Sequence, residues 1–319
     1  MTEHEKIASA VFAQQGLSFR VAQRAGGWTN AVWLNGGFVL RVSRVKGANM
    51  IRREVERAKF LPEAVGYPLN IAVGVMDGYE WSLSERIKGK VLSGVWSGFS
   101  LEEKAEALKQ VFNIMTAVHS VAVENVESFT LRRAWYSRFD EESYFADLER
   151  YESLGLFSSG QCRRMRDALV RFYECHNKEQ RVLNHGDITT DNLLWHDGRV
   201  VTLLDFEHSV IAPPQLDLHS LVTLAFFTAD TYITAGEEPG ISEYLEKLFN
   251  MFEALLRRQS DCDLLLGYGI LFRQHFLEAW LAEPEGEIEE CEAYRKLLSL
   301  CDGSSGKVDI VLKLGGLSI

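Results

Sequence analysis

Long apolar runs are missing from this chain of 319 residues. No stretch reaches the roughly 18 apolar residues that would cross a bilayer. The N-terminus, MTEHEKIASAVFAQQG, lacks both the basic head and the unbroken apolar segment of a secretory signal. Together these gaps predict a cytoplasmic protein without membrane contact. Cysteine is scarce and scattered: Cys162, Cys175, Cys262, Cys291 and Cys301 are odd in number and form no Cys-x-x-Cys pair. Neither a disulfide framework nor a zinc site is expected, and the thiols are read as free in a reducing compartment. No dense Lys/Arg run is present and the formal net charge is −11, which excludes a duplex binder that must neutralise phosphates. Surplus acid suits a cleft that concentrates a cationic small molecule, and it equally suits a surface kept soluble by charge. Internal repeats and low-complexity linkers are also absent.

What is present divides into two unequal parts. After an opening helix, residues up to about 86 have a strand-rich rhythm. Thr29–Leu34 and Phe38–Val42 flank Asn35-Gly36-Gly37, the pattern of a hairpin. A helix is predicted over about 49–61 with Ile51, Val55, Ala58, Phe60 and Leu61 apolar, punctuated by Pro62 and Pro68. Trp81–Ile87 reads as a further strand running into Gly89. From about 90 the pattern is mostly helical. Ser100-Leu101-Glu102-Glu103 fits a capping box, and Leu108, Val111, Phe112, Met115 and Val118 follow at helical spacing. A second amphipathic helix is predicted over about 160–175. β character returns between 181 and 207, where Asp197-Gly198 suits a tight hairpin. The remainder to about 300 is read as helical, and 264–281 as a buried bundle helix because charges interrupt it.

The chemistry is concentrated in HGDITTDNLLWHDGRVVTLLDFE, residues 185–207. Asp187 lies on a polar loop, Asn192 follows, and a short hairpin returns Asp205 after the apolar strand Val200–Leu204. Antiparallel strands place the start and end of this segment side by side, so the three side chains can converge. Phosphoryl transfer asks for such a set: a carboxylate to accept the proton of the attacking hydroxyl, and hard oxygens to place Mg²⁺ on nucleotide phosphates.

This segment resembles the active site of the aminoglycoside-phosphotransferase/choline-kinase-like family, a branch of the protein-kinase fold, with H-G-D in place of H-R-D and D-F-E in place of D-F-G. The resemblance implies an α+β, two-lobed protein-kinase-like fold. A small β-rich lobe (1–88) would bind nucleotide and end in a hinge, and a larger, mostly helical lobe (89–319) would carry catalysis and substrate binding. It implies ATP or GTP with Mg²⁺, Asp187 as catalytic base, and Asn192 and Asp205 as metal ligands. His185 and Glu207 would organise the loop, and Asp217, in PPQLDL, would brace it. AGGWTN (25–30) sits where the phosphate-covering loop belongs, giving Gly27 and Asn30 nucleotide roles. Arg41 stands at the position of the nucleotide-binding lysine and could pair with Glu54; alternatively, Glu54 is a solvated acid paired with Arg53 or Arg57. Leu83–Ile87 would be the hinge, with the backbone of Glu85 and Ile87 at the adenine edge.

The expected acceptor is a small hydroxylated molecule, an aminoglycoside or other antibiotic or an amino-bearing metabolite, cationic by the charge argument and used by a monomer or homodimer. Trp135, Tyr136, Asp140, Glu141, Glu142, Glu278 and Trp280 offer aromatic and acidic groups for it, although acidic runs are commonly solvated faces. Two other readings stay open. A protein kinase is disfavoured because no A-P-E follows, and a kinase-fold binder without turnover because all three polar residues are intact.

Overall fold

Helix α1 (Glu3–Gln14) starts at a capping box, in which Thr2 Oγ1 accepts from Glu5 N (3.2 Å) and the Glu5 carboxylate accepts from Thr2 N (2.7 Å). This computed structural model describes residues 1–27, 29–137, 141–226, 241–284 and 286–301. Behind α1 come strands β1 (Gln23–Ala25), β2 (Asn30–Asn35) and β3 (Phe38–Ser43), then helix α2 (Met50–Ala58). Strands β4 (Asn70–Met76) and β5 (Tyr79–Glu85) complete an antiparallel sheet of order β1-β2-β3-β5-β4. The expected hairpin is β2–β3, with Asn35 opposite Phe38. Alternation along β5 divides its work between two faces. Trp81 and Leu83 join Ile7, Val11 and Phe12 of α1 in one apolar cluster. Glu80, on the other face, accepts from the Ile51 amide of α2 (3.0 Å).

Two sequence expectations are shortened. The helix predicted to 61 stops at Ala58, leaving Phe60 42% exposed. The strand predicted to 87 ends at Glu85, so Ile87 lies beyond it.

A connecting strand, β6 (Lys90–Val91), and a one-turn helix, α3 (Ser93–Trp96), lead into the helical part. Helix α4 (Leu101–His119) has the capping box expected of Ser100 and Glu103, and Leu108, Val111, Met115 and Val118 are buried. Short α5 (Val123–Val126) precedes α6 (Glu141–Ser153) and α7 (Ser159–His176). Two small antiparallel ribbons follow. In one, β7 (Val182–Asn184) pairs with β10 (Val210–Ala212). In the other, β8 (Leu193–His196) and β9 (Arg199–Leu203) form a hairpin that also pairs with β6. Its turn residues Asp197 and Gly198 both have positive φ (47° and 79°), as a two-residue primed turn requires.

Helices α8 (Gln215–Phe226), α9 (Ile241–Phe252), α10 (Gln259–Ala282) and α11 (Glu292–Cys301) close the fold. The part of the helical expectation that falls on 227–240 lies outside the described residues. Gly267 lets α10 approach α7, since a Cβ there would stand 2.2 Å from the Phe172 ring. All five cysteines are free; Cys162, Cys262, Cys291 and Cys301 are buried and Cys175 is half-buried. Among the described residues no helix is long and apolar enough to cross a membrane.

Candidate functional site

Strand β7 runs directly into His185-Gly186-Asp187. Gly186 has φ +82°, and a Cβ would stand 2.4 Å from the His208 carbonyl oxygen, so the turn admits only glycine. The amides of His185 and Gly186 donate to the two oxygens of Asp217 (2.8 and 2.9 Å). That carboxylate is fully buried at the start of α8, and His119 Nε2 lies 3.0 Å from it. His185 Nδ1 accepts from Asp187 N (3.2 Å), which leaves Nε2 to donate to Leu204 O (2.8 Å). Burial disfavours the charged ring and pushes the His185 pKa down. The loop is therefore held from behind by Asp217 and from within by a neutral imidazole. Trp135 Nε1 donates to Gly186 O (3.1 Å), standing an indole against the same loop.

Asn192 Nδ2 donates to the carbonyl oxygen of Asp187 (2.9 Å) and to its carboxylate (3.2 Å). The next bond of the ribbon, Leu204 N to Asn192 O (2.8 Å), sets Asp205 beside Asn192. Asp205 adopts φ +63°, a left-handed conformation that aspartate tolerates better than most residues. Its Oδ1 is buried without a hydrogen-bond partner, with Arg41 Nη1 3.6 Å away. Burial, reinforced by the Glu54 carboxylate, pushes the Asp205 pKa up to about 7 although Arg41 opposes the shift.

Arg41 on β3 and Glu54 on α2 form a two-pronged pair through both guanidinium terminal nitrogens. Glu54 is fully buried and also accepts from Tyr67 OH (2.7 Å) and Phe206 N (3.1 Å). Burial alone would raise its pKa; the Arg41 guanidinium outweighs that and holds the carboxyl below its usual range. The alternative of a solvated Glu54 is thereby excluded. Arg57, its suggested partner, is 1% exposed and donates instead to the carbonyls of Phe129 and Phe206.

The remaining expectations fall around this network. Asn30 Nδ2 donates to Glu207 Oε2 (3.4 Å), which brings the 25–30 turn to the Asp205-Phe206-Glu207 segment. Gly27 O accepts from Arg44 Nη2 (2.9 Å), while its neighbour Trp28 lies outside the described residues. Glu85 and Ile87 are not joined to the charged network: Glu85 pairs with Phe38, at the opposite end of β3 from Arg41. The amides of Glu85 and Arg86 already donate to Leu69 O (3.0 Å) and Gly37 O (2.8 Å). No hydrogen bond of the Ile87 amide occurs among the described residues.

Two of the suggested acceptor contacts, Glu278 and Tyr136, are engaged elsewhere or buried. Glu278 is taken by Arg150 and by Tyr151 OH (2.6 Å), and Tyr136 is 3% exposed. Asp140 lies outside the described residues. Of the side chains around the network the sequence reading missed Tyr67, and it gave Arg57 and Trp135 other parts, as a partner for Glu54 and as an acceptor contact. Arg57 lies one helical turn from Glu54 on the same face, whereas Tyr67 and Trp135 are positioned only by tertiary packing.

Residues 20–250 match the phosphotransferase enzyme family, APH. Among solved structures, the GDP complex of aminoglycoside 2'-phosphotransferase-IIIa is similar with a TM-score of 0.63 and 17% identity, covering 94% of this chain and 98% of that one. A thermostable mutant of aminoglycoside phosphotransferase APH(4)-Ia, in ternary complex with AMP-PNP and hygromycin B, gives 0.60 and 16%, covering 98% and 99%. The gentamicin complex of APH(2")-IIa gives 0.59 and 14%, covering 94% and 96%. No curated protein matches the sequence. At these identities the structural likeness establishes the two-lobed kinase-like fold.

Proposed function

The chain belongs to the phosphotransferase enzyme family and is a small-molecule kinase; from that premise we propose that it transfers the γ-phosphate of ATP or GTP to a hydroxyl of a small amino-bearing molecule, with Asp187 as general base. The observation that carries this reading is the convergence of Asp187, Asn192 and Asp205 on one edge, with the Arg41–Glu54 pair anchored to the next amide, Phe206 N.

Each residue has work that its setting supports. Asn192 donates to the Asp187 carboxylate, holding it toward an incoming hydroxyl whose proton it accepts. Glu54 fixes the fork of Arg41, so the guanidinium meets α/β-phosphates already oriented. Asn30 and Gly27 place the 25–30 turn over those phosphates. The carbonyl of Glu85 and the amide of Ile87 meet the adenine edge where residues 1–88, the nucleotide lobe, join the remainder.

The donor set fits magnesium. Asp205 supplies a buried carboxylate oxygen that has no hydrogen bond and only the Arg41 guanidinium 3.6 Å away, and Asn192 supplies an amide oxygen, both hard ligands. Among the described residues no cluster of three or more His, Cys, Asp or Glu could hold an ion by itself, as suits a cation shared with nucleotide phosphates. Bound there, Mg²⁺ would offset charge on the transferring phosphoryl group.

The acceptor we infer is hydroxylated and cationic. Net charge −11 favours it, and the antibiotics bound in structural neighbours support it. Trp135 offers its indole as a wall beside Asp187. The test is acceptor-dependent ADP or GDP release across hydroxylated amines, sugars and antibiotics. Asp187→Asn is expected to keep nucleotide affinity while lowering turnover by ~10²–10⁴-fold. A variant as fast as wild type would remove Asp187 from the chemistry.

A further inference from the structure

Helix α2 grips one residue of the site by both of its backbone groups. Phe206, which follows Asp205, donates its N–H to Glu54 Oε1 (3.1 Å), and its carbonyl accepts from Arg57 Nη2. Glu54 and Arg57 stand one helical turn apart on α2. The same carbonyl accepts from Ser209 N (3.1 Å) and Ser209 Oγ (2.6 Å), so three donors converge on it. The other arm of the Arg57 fork, Nη1, donates to Phe129 O. The Phe206 side chain is fully buried, its ring edge-on to those of Tyr67 (5.6 Å) and His185 (4.5 Å).

Stability alone does not account for a guanidinium in this place. Arg57 is 1% exposed, its two terminal nitrogens meet backbone carbonyls and not a carboxylate, and its Nε has no hydrogen-bond partner. Burial pushes its pKa down to about 10, against the Glu54 carboxylate, which still leaves it charged at neutral pH. A buried cation without a hydrogen-bonded anion weakens a fold, and an apolar side chain of similar length would cover this side of α2 more cheaply. The charge does place backbone. Asp205 has φ +63° and is pinned on each side. Before it Leu204 N donates to Asn192 O (2.8 Å), and after it Phe206 is held by α2. Glu54 Oε1 divides its hold among Phe206 N, Tyr67 OH (2.7 Å) and Arg41 Nη1 (3.3 Å), whereas Arg57 Nη2 is given to Phe206 alone.

We propose that Arg57 is a positioning residue of the phosphotransfer site: with Glu54 it fixes the backbone of Phe206 and so holds Asp205 in the left-handed conformation that sets its carboxylate beside Asn192 and Arg41. The inference rests on the reading of Asp205 as a magnesium ligand and adds to it a residue that acts only through the backbone. Arg53 supplies a comparison within the same helix. Its Nη2 donates to Thr130 O (2.6 Å), which ties α2 to the same 129–130 segment that Arg57 reaches, yet it makes no hydrogen bond to Phe206. Tying the helix down and fixing the residue after Asp205 are therefore separable by substitution.

Calorimetry on the full chain measures the affinity for AMP-PNP, or for GMP-PNP should guanine bind more tightly, once with Mg²⁺ and once with EDTA. The ratio of the two affinities is the magnesium increment. Arg57→Met is expected to lower the increment by roughly tenfold, the scale of one hydrogen bond to a charged group, and to leave the affinity in EDTA at its wild-type value. Arg57→Lys keeps the charge but not the fork, and its increment is expected to fall between those of wild type and Arg57→Met. Arg53→Gln, which releases Thr130 O and leaves Phe206 held, is expected to keep the full increment. A purely structural Arg57 would lower the melting temperature and leave the increment alone. A wild-type increment in Arg57→Met, or in Arg57→Lys should the methionine variant not fold, would overturn the assignment, as would an equal loss in Arg53→Gln. Asp205→Ala separates the two possible failures. An increment retained there removes the magnesium reading and the clamp with it, and one lost there but retained in Arg57→Met removes the clamp alone.

Discussion

Substituting glutamine for Glu54 alters one oxygen of a buried carboxylate that four donors use: two nitrogens of Arg41, Tyr67 OH and Phe206 N. Glutamine keeps an acceptor for Tyr67 and Phe206, both on Oε1, but removes the charge that balances Arg41. Removing one partner of a buried pair costs about 3–5 kcal/mol. Asp205, 3.6 Å from Arg41, compensates in part, so the lower end, ~3 kcal/mol, is expected. That is a large fraction of the ~5–15 kcal/mol by which folded proteins are stable. Adding Arg41→Met removes the stranded cation, and the double variant is expected to recover to within ~1–2 kcal/mol of wild type, as neutralised buried pairs commonly do. Turnover is expected to stay low, because the phosphate contact proposed for Arg41 is gone. Denaturant unfolding of the four proteins of the cycle gives the coupling energy directly. Additive effects within ~0.5 kcal/mol, or an unchanged midpoint for Glu54→Gln, would refute the reasoning.

Asp205→Ala is expected to abolish the magnesium dependence of nucleotide affinity, and calorimetry with unchanged Mg·ATP binding would contradict it. Gly186→Ala places a Cβ 2.4 Å from His208 O at φ +82° and is expected to cost a few kcal/mol, on the order of 1–3 for the backbone alone, with loss of activity; an unshifted unfolding midpoint would show that the turn can relax. His219 and His176 have pKa values pushed down by burial to about 3 and about 4, from 6.5. The unfolded state binds these protons first, so stability present above pH ~6.5 is expected to fall as pH drops toward 4, by up to ~1.4 kcal/mol per pH unit for each histidine. His219→Leu is expected to flatten that slope by about one proton, and an unchanged slope between pH 6 and 4 would reject His219 as its source.

Features fixed by local chemistry were legible in the sequence. The Asp197-Gly198 turn and the Ser100/Glu103 capping box depend on neighbours a few residues away, and both occur where expected. Convergence of Asp187, Asn192 and Asp205 followed from the antiparallel ribbon between them. Strand β4 was missed because its outward residues, Ile71, Val73 and Val75, are apolar and 42%, 38% and 51% exposed, so no polar alternation marks it. Strands β1, β6 and β10 are two or three residues long and exist through their partners. The fates of charged residues were the least legible. Glu54 was read as the partner of Arg41 and is buried on it, whereas Glu278 was offered to the acceptor and is held by Arg150, a contact that only long-range packing makes.

Residues 1–161 contain no cysteine, so every thiol of the chain belongs to the packing of α7, α10 and α11. Burial raises the pKa of Cys162 and Cys175, and the thiolate is the reactive species, so the folded chain resists aromatic disulfide reagents. The protein thereby carries a built-in clock for one region. Half-buried Cys175 reports first, and Cys162, Cys262, Cys291 and Cys301 are modified only as these helices part. Mass spectrometry of the labelled peptides would time the opening of the helical packing separately from the β1–β5 sheet, with no probe introduced.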